Sequence, residues 1–240
     1  MMSFKHQVVF NVLAKDLNNA QELVEIAKDR VLVGVMVKKF PTEEAAIELV
    51  KEFKDNNILV SVGLGAGDPN MWKKVANVSV ATLPDHINQV FPASGYTLGR
   101  MEQTTENVPV INSLVEPTGM PGQVYISTGP VSSVYRERVS CELAAAMIAE
   151  LGISSVKLYP IEGEKRLEEL AVMTRAAVKA GIKIIEPTGG ITLDNVHIIV
   201  QTCLDNGAET VIPHLYTSII DKETGETKPS AMKQLIEMTW

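Results

Sequence analysis

Cysteine is nearly absent: only Cys141 and Cys203 occur. Two thiols supply no disulfide framework and fit a reducing compartment, so a cytoplasmic setting is expected. Positive charge is in deficit, with 22 Lys and Arg against 29 Asp and Glu and a net charge of -7. A nucleic-acid partner needs a basic face, so none is expected. A small anionic ligand needs only a few local donors and stays open. No uncharged apolar run reaches about 20 residues, so nothing is expected to span a membrane. Residues 1–10 hold no apolar core of signal-peptide length. Low-complexity segments and short-period repeats are missing as well.

What is present is apolar material in regular packets, 45% of 240 residues. That is enough for one large core, and an α/β barrel needs roughly 250 residues. Apolar runs at 8–13, 31–37, 58–62 and 78–81 predict the first four strands. Asp16 is placed to cap a helix that ends near residue 28. Pro41 and Thr42 open a helix in which Ala45, Ala46, Leu49, Val50 and Phe53 recur at helical spacing. Asp68 and Pro69 read as an N-cap and a first helical position.

Residues 84–122 are less regular. Two candidates, 108–115 and 123–127, compete to be the fifth strand, and periodicity does not choose. Ser132 or Ser133 is predicted to begin a helix through Cys141 to residue 151. Arg136 and Arg138 then fall early in that helix, on a solvated face or against an anion. The pattern is regular beyond: strands at 156–159, 182–185 and 210–212, helices at 166–180, 192–206 and 229–238. Lys222, Glu223, Thr224 and Glu226 form a polar loop after the last strand. Such alternation predicts parallel β-structure with right-handed crossovers. About eight units in this length predict a single (β/α)8 TIM-type barrel over residues 1–240, with an open doubly wound sheet as the alternative. Barrel chemistry sits at the C-terminal strand ends, where Lys38, Gly65, His86, Lys157, Glu186 and His214 fall.

Two stretches carry the chemistry. In Ser154-Ser155-Val156-Lys157-Leu158-Tyr159-Pro160 a lysine sits in an apolar run. Burial disfavours its ammonium form and frees the neutral amine as a nucleophile toward a ketone. The same lysine can instead reach solvent or pair with an acid. Lys183 is a rival, although it lies at the start of its strand, the stability end of a barrel. In Ile184-Ile185-Glu186-Pro187-Thr188-Gly189-Gly190-Ile191 a strand ends in a glycine turn before a helix. Glycines let backbone N–H groups approach a phosphate, although an ordinary βα turn has the same look. Gly63-Leu64-Gly65-Ala66-Gly67 lacks the spacing of a dinucleotide fingerprint and reads as a turn or a backbone approach to substrate.

Lys157-Leu158-Tyr159-Pro160 together with Pro187-Thr188-Gly189-Gly190-Ile191 resembles the aldolases that cleave 2-keto-3-deoxy-6-phosphogluconate, with Leu158 replacing one aromatic. Asp85-His86-Ile87-Asn88-Gln89-Val90-Phe91-Pro92 is similar to the branch of bacterial glucosaminate catabolism, also described as 4-hydroxy-2-oxoglutarate aldolases. The resemblance covers the whole chain. It implies a class I aldolase with no metal or cofactor, with Lys157 carrying the Schiff base and Thr188, Gly189 and Gly190 near the substrate. Its expected ligand is a keto-acid sugar phosphate, and a homo-oligomer is expected. The family's better-known branch has a basic glutamate and a carboxylate-binding arginine on its second strand. Here Gly34 stands for the first and Lys38 for the second, and the turn after strand three reads Gly65-Ala66-Gly67-Asp68.

The base must then come from elsewhere, or a water must serve. Glu186, His86 and His214 are the candidates, with Glu186 foremost because it ends the strand beside that of Lys157. His86 can instead be a loop hydrogen-bonder, and His214 can touch phosphate or substrate. Lys38 or Lys39 is expected to hold the substrate carboxylate. No His-x-His or His-x-x-x-His spacing supports a metal. The expected reaction yields pyruvate and glyceraldehyde 3-phosphate. A non-phosphorylated 4-hydroxy-2-oxo acid substrate, or sugar-phosphate binding without catalysis, are the alternatives.

Overall fold

The structure, a computed structural model, describes residues 4–240, so the first three residues of the 1–10 segment lie outside the described residues. The strands are β1 (Phe10–Leu13), β2 (Val31–Met36), β3 (Val60–Gly63), β4 (His86–Val90), β5 (Val110–Pro117), β6 (Gln123–Tyr125), β7 (Val139–Ser140), β8 (Ser155–Leu158), β9 (Ile184–Pro187), β10 (Thr210–Val211) and β11 (His214–Leu215). The helices are α1 (Leu17–Ala27), α2 (Glu43–Asp55), α3 (Trp72–Thr82), α4 (Phe91–Glu102), α5 (Cys141–Glu150), α6 (Leu167–Lys179), α7 (Val196–Asp205) and α8 (Pro229–Glu237). Parallel strands follow the order β10-β9-β8-β5-β4-β3-β2-β1-β11, a curled, TIM-like α/β sheet. Its last strand is broken at Ile212 and Pro213. The β10 part pairs with β9, the β11 part pairs with β1, and Val211 also bridges Val8.

Local chemistry explains several boundaries. Asp16 caps α1 by accepting from the Asn19 N–H, and Thr42 caps α2 by accepting from Ala45. The Asp68 side chain accepts from Asn70 N–H and starts a 3-10 turn at Pro69 that leads into α3. Of the two fifth-strand candidates, β5 joins the parallel sheet, between β4 and β8. The other, β6, pairs antiparallel with the far end of β5 and with β7.

Two expectations need correction. Residues 78–81 are not a strand but the last turns of α3. Val75, Ala76, Ser79 and Thr82 lie on its buried face at helical spacing, and that packing overrides the β-branched composition. The fourth strand is His86–Val90, buried along its whole length despite three polar residues. The helix expected from Ser132 begins only at Cys141, where Ser140 accepts from Leu143 N–H. Arg136 and Arg138 therefore lie in the loop before β7. The Arg136 guanidinium bonds Glu116 at 2.6 Å and sits 3.7 Å over the Tyr125 ring.

The main core lies between the sheet's convex face and the helices. A second, small cluster sits on the concave side: Val9, Leu32 and Ile212, with Leu59 and Ile184 against them. These residues plug the sheet's N-terminal end. Leu32→Ala, which opens a void there, is expected to cost about 2–5 kcal/mol, read as a lower urea midpoint at unchanged slope.

Candidate active site

Side chains two residues apart on a strand share a face. One step beyond the plug residues therefore come Asn11, Gly34, Ser61, Glu186 and His214, and one further step gives Leu13, Met36, Gly63, Thr188 and Tyr216. On β4 the same stride carries His86 to Asn88, and on β8 it carries Ser155 to Lys157 and Tyr159. The concave face is thus layered: an apolar plug, a polar layer, and a set of residues that line a cavity of about 680 Å³.

Glu186 is the centre of the polar layer and has no exposed surface. Its Oε1 accepts from His86 Nε2 at 2.9 Å and from Ser155 Oγ at 2.5 Å. Its Oε2 accepts from Asn112 Nδ2 at 2.7 Å and His214 Nε2 at 3.0 Å. Burial alone would raise its pKa. The His86 and His214 rings outweigh that and hold the carboxyl well below its ordinary value. Ser61 Oγ accepts from Asn11 and Asn88, so its proton goes to His86 Nδ1 at 2.8 Å, which leaves the Nε2 proton of His86 for Glu186.

Lys157 stands one step above this layer and is 7% exposed. Its Nζ donates to Asn88 Oδ1 at 2.9 Å and lies 3.2 Å from His214 Nδ1. Burial lowers its pKa to about 8, against the pull of the Glu186 charge. His214 is pushed down to about 3, first by burial and then by the Lys157 charge. Its neutral ring gives Nε2–H to Glu186 and presents a lone pair on Nδ1. Tyr216 Oη lies 3.2 Å from that Nδ1 and donates to Asn11 Oδ1 at 3.3 Å.

Of the residues expected from the sequence, Lys38, Lys39, Gly65, Lys157, Thr188, Gly189, Gly190 and His214 line the cavity. Lys38 Nζ pairs with Asp68 at 2.8 Å. Gly65 has φ +94°, and a Cβ there would come within 2.8 Å of the Lys38 Cβ. Gly190 has φ +74°, and its Cβ would meet Gly163 N at 2.6 Å, so the turn admits no side chain. Asn195 holds this turn by accepting from Thr192 N–H and donating to Gly190 O. The helix after it starts at Val196 rather than Thr192, so one turn separates the glycines from the helix.

His86 and Glu186 do not line the cavity. They lie beneath it, with both Glu186 oxygens already engaged. Lys183 is exposed and pairs with Glu209, away from the cavity. A side chain at Gly34 would put its Cβ 3.1 Å from Leu13 Cδ2 and 3.3 Å from Asn11 Oδ1. Sequence reasoning missed Asn11, Ser61, Asn112 and Ser155, and it assigned no role to Asn88 or Tyr216. The available signal was a polar residue inside a short strand, alone among apolar neighbours in β1 and β3 and accompanied by other polar residues in β4, β5 and β8. Among the described residues, no group of three or more His, Cys, Asp or Glu is arranged to hold a metal ion, and no helix is long and apolar enough to cross a membrane.

The model of one protein family, KDGP aldolase, matches residues 4–223. A 2-dehydro-3-deoxy-phosphogluconate aldolase of Salmonella typhimurium (strain 14028s / SGSC 2262) is 44% identical over 236 residues, covering 98% of this chain and 96% of that protein. Among solved structures, KGPDC from Streptococcus mutans is similar with a TM-score of 0.59 at 14% identity, over 95% of each chain. N-(5'-phosphoribosyl)anthranilate isomerase from Pyrococcus furiosus gives a TM-score of 0.57 at 12% identity, over 95% of this chain and 96% of that one. At such identity these two likenesses concern the fold alone.

Glu186→Gln replaces two acceptors with one acceptor and one donor, facing four donors. The variant is expected to lose about 3–5 kcal/mol of stability, measured by urea unfolding. A loss below about 1 kcal/mol would mean that the carboxylate does not hold the layer together.

Proposed function

This chain belongs to the KDGP aldolase family, and from that premise we propose that it is a class I aldolase acting on 2-dehydro-3-deoxy-6-phosphogluconate. The observation that carries this reading is the Lys157 amine: nearly buried, with its pKa lowered to about 8, and lining the cavity. Its neutral form attacks the C2 ketone, and loss of water leaves an iminium. That cation draws in the C3–C4 bonding pair as the C4 hydroxyl gives up its proton. Glyceraldehyde 3-phosphate departs and an enamine remains. Protonation at C3 and hydrolysis release pyruvate and restore the amine. The route calls for no metal or cofactor.

In this scheme Lys38 and Lys39 hold the substrate carboxylate, and the turn Thr188-Gly189-Gly190 receives the phosphate. In this reading the curled sheet is one closed (β/α)8 barrel, which is supported by the pairing of residues 210–211 with β9 and of residues 214–215 with β1. The cavity's size suits a ligand of this class, for which pockets run about 300–1,000 Å³.

Lys157→Ala is expected to abolish cleavage in a coupled pyruvate assay. Borohydride added with pyruvate is expected to fix a stable mass on the wild-type chain at Lys157. Full activity in the variant, or labelling at another lysine, would overturn the assignment. The pH dependence has a defined sign. The reactive form is the neutral amine, so kcat/KM should fall about tenfold per unit below the lysine pKa and level off above about 8. A profile flat from pH 6 to 9 would contradict it.

A further inference from the structure

We infer that Tyr216 and His214 form the proton relay of this site, with the Tyr216 hydroxyl the group that exchanges a proton with the substrate. The inference rests on the aldolase reading. Both side chains line the cavity beside Lys157. Glu186, the leading candidate from the sequence, lies below with both oxygens engaged, and the space beside Gly34 is taken by Leu13 and Asn11. What the cavity does offer is a continuous path: Tyr216 Oη to His214 Nδ1 at 3.2 Å, and His214 Nε2 to Glu186 Oε2 at 3.0 Å.

The balance of the step is complete. As the C3–C4 bond breaks, the C4 hydroxyl passes its proton to the Tyr216 oxygen. Tyr216 turns its own O–H from Asn11 Oδ1 to His214 Nδ1 and passes that proton there, and the bonding electrons neutralise the iminium to an enamine. When the enamine is protonated, the same proton returns through Tyr216 to C3. No other acid, base or oxidant is needed. Positive charge leaves the lysine nitrogen as it arrives on the imidazole, so one cation faces the Glu186 carboxylate throughout. The Lys157 charge is one cause of the low basicity of His214. Its removal on enamine formation raises that basicity at the moment the proton must be held, although burial still acts against it. Glu186 acts through His214, as a positioning residue, by receiving the Nε2 proton.

A phenol is a weak base and a weak acid, and burial raises the Tyr216 pKa, so a free phenolate is disfavoured. The hydroxyl works here only as a conduit. His214 Nδ1 also faces the lysine nitrogen. It takes the proton released as the amine adds to the ketone and gives it to the departing hydroxyl, which leaves as water, so the ring is neutral again before the C3–C4 bond breaks.

The test compares the wild type with Tyr216→Phe and His214→Gln in two assays with pyruvate. One is borohydride trapping followed by mass spectrometry. The other is exchange of the pyruvate methyl hydrogens in D2O, followed by NMR. Tyr216→Phe should still give the Lys157 adduct, while methyl exchange and cleavage fall by about 100-fold or more. His214→Gln should slow both adduct formation and exchange. Exchange at the wild-type rate in Tyr216→Phe, or failure of that variant to form the adduct, overturns the relay. Absence of an adduct in the wild type overturns the aldolase reading instead.

Discussion

A buried carboxylate with four donors around it orders the interior of this protein. An unpaired buried charge costs several kcal/mol, so Glu186 is tolerable only if its donors arrive together. They come from four strands: His86 on β4, Asn112 on β5, Ser155 on β8 and His214 on β11. A one-residue slip of any of them would turn its donor to the convex face. The charge therefore acts on register as well as chemistry. It joins separate ladders of the sheet into one arrangement, which is a gain in specificity more than in net stability.

The same charge also sets the lysine. Burial makes the Lys157 ammonium unfavourable, and Glu186 below makes it favourable again, with burial the larger effect. The result is an amine poised near physiological pH rather than one held permanently charged or neutral. Asn88 fixes where that amine points. Its Oδ1 accepts from both Lys157 and Asn112, while its Nδ2 donates to Ser61. Lysine orientation, imidazole tautomers and carboxylate ionisation thus belong to one network, whose members are expected to respond to mutation non-additively.

The parts legible in the sequence were those that break a local rule. Lys157 is a cation in an apolar run, and Gly189-Gly190 is a flexible pair after a strand, and both line the cavity. The parallel alternation was legible too, because the convex face packs on helices and keeps its apolar periodicity. The polar layer hid the rest. His86–Val90 carries histidine, asparagine and glutamine because it faces the network, so it lacks the composition of a strand, while Val78-Ser79-Val80-Ala81 in α3 has it. Strands of four residues offer too few repeats for Asn11, Ser61 or Ser155 to stand out. What unites them is the two-residue stride from Val9, Leu59 and Ile153, visible only once the register is known.

Gly34 shows the limits of the layer most directly. On β2 it occupies the row of Asn11, Ser61 and Glu186, and a side chain there would press on Leu13 and on the Asn11 amide oxygen. That oxygen already receives the Tyr216 hydroxyl, while the Asn11 amide group donates to Ser61. A carboxylate at this position would find its local donors committed and a second negative charge buried in the same layer. Two carboxylates that share so dry a site cannot both stay ionised. The missing side chain is therefore not an open place awaiting a base. It is the condition that lets a single charge, Glu186, hold the layer.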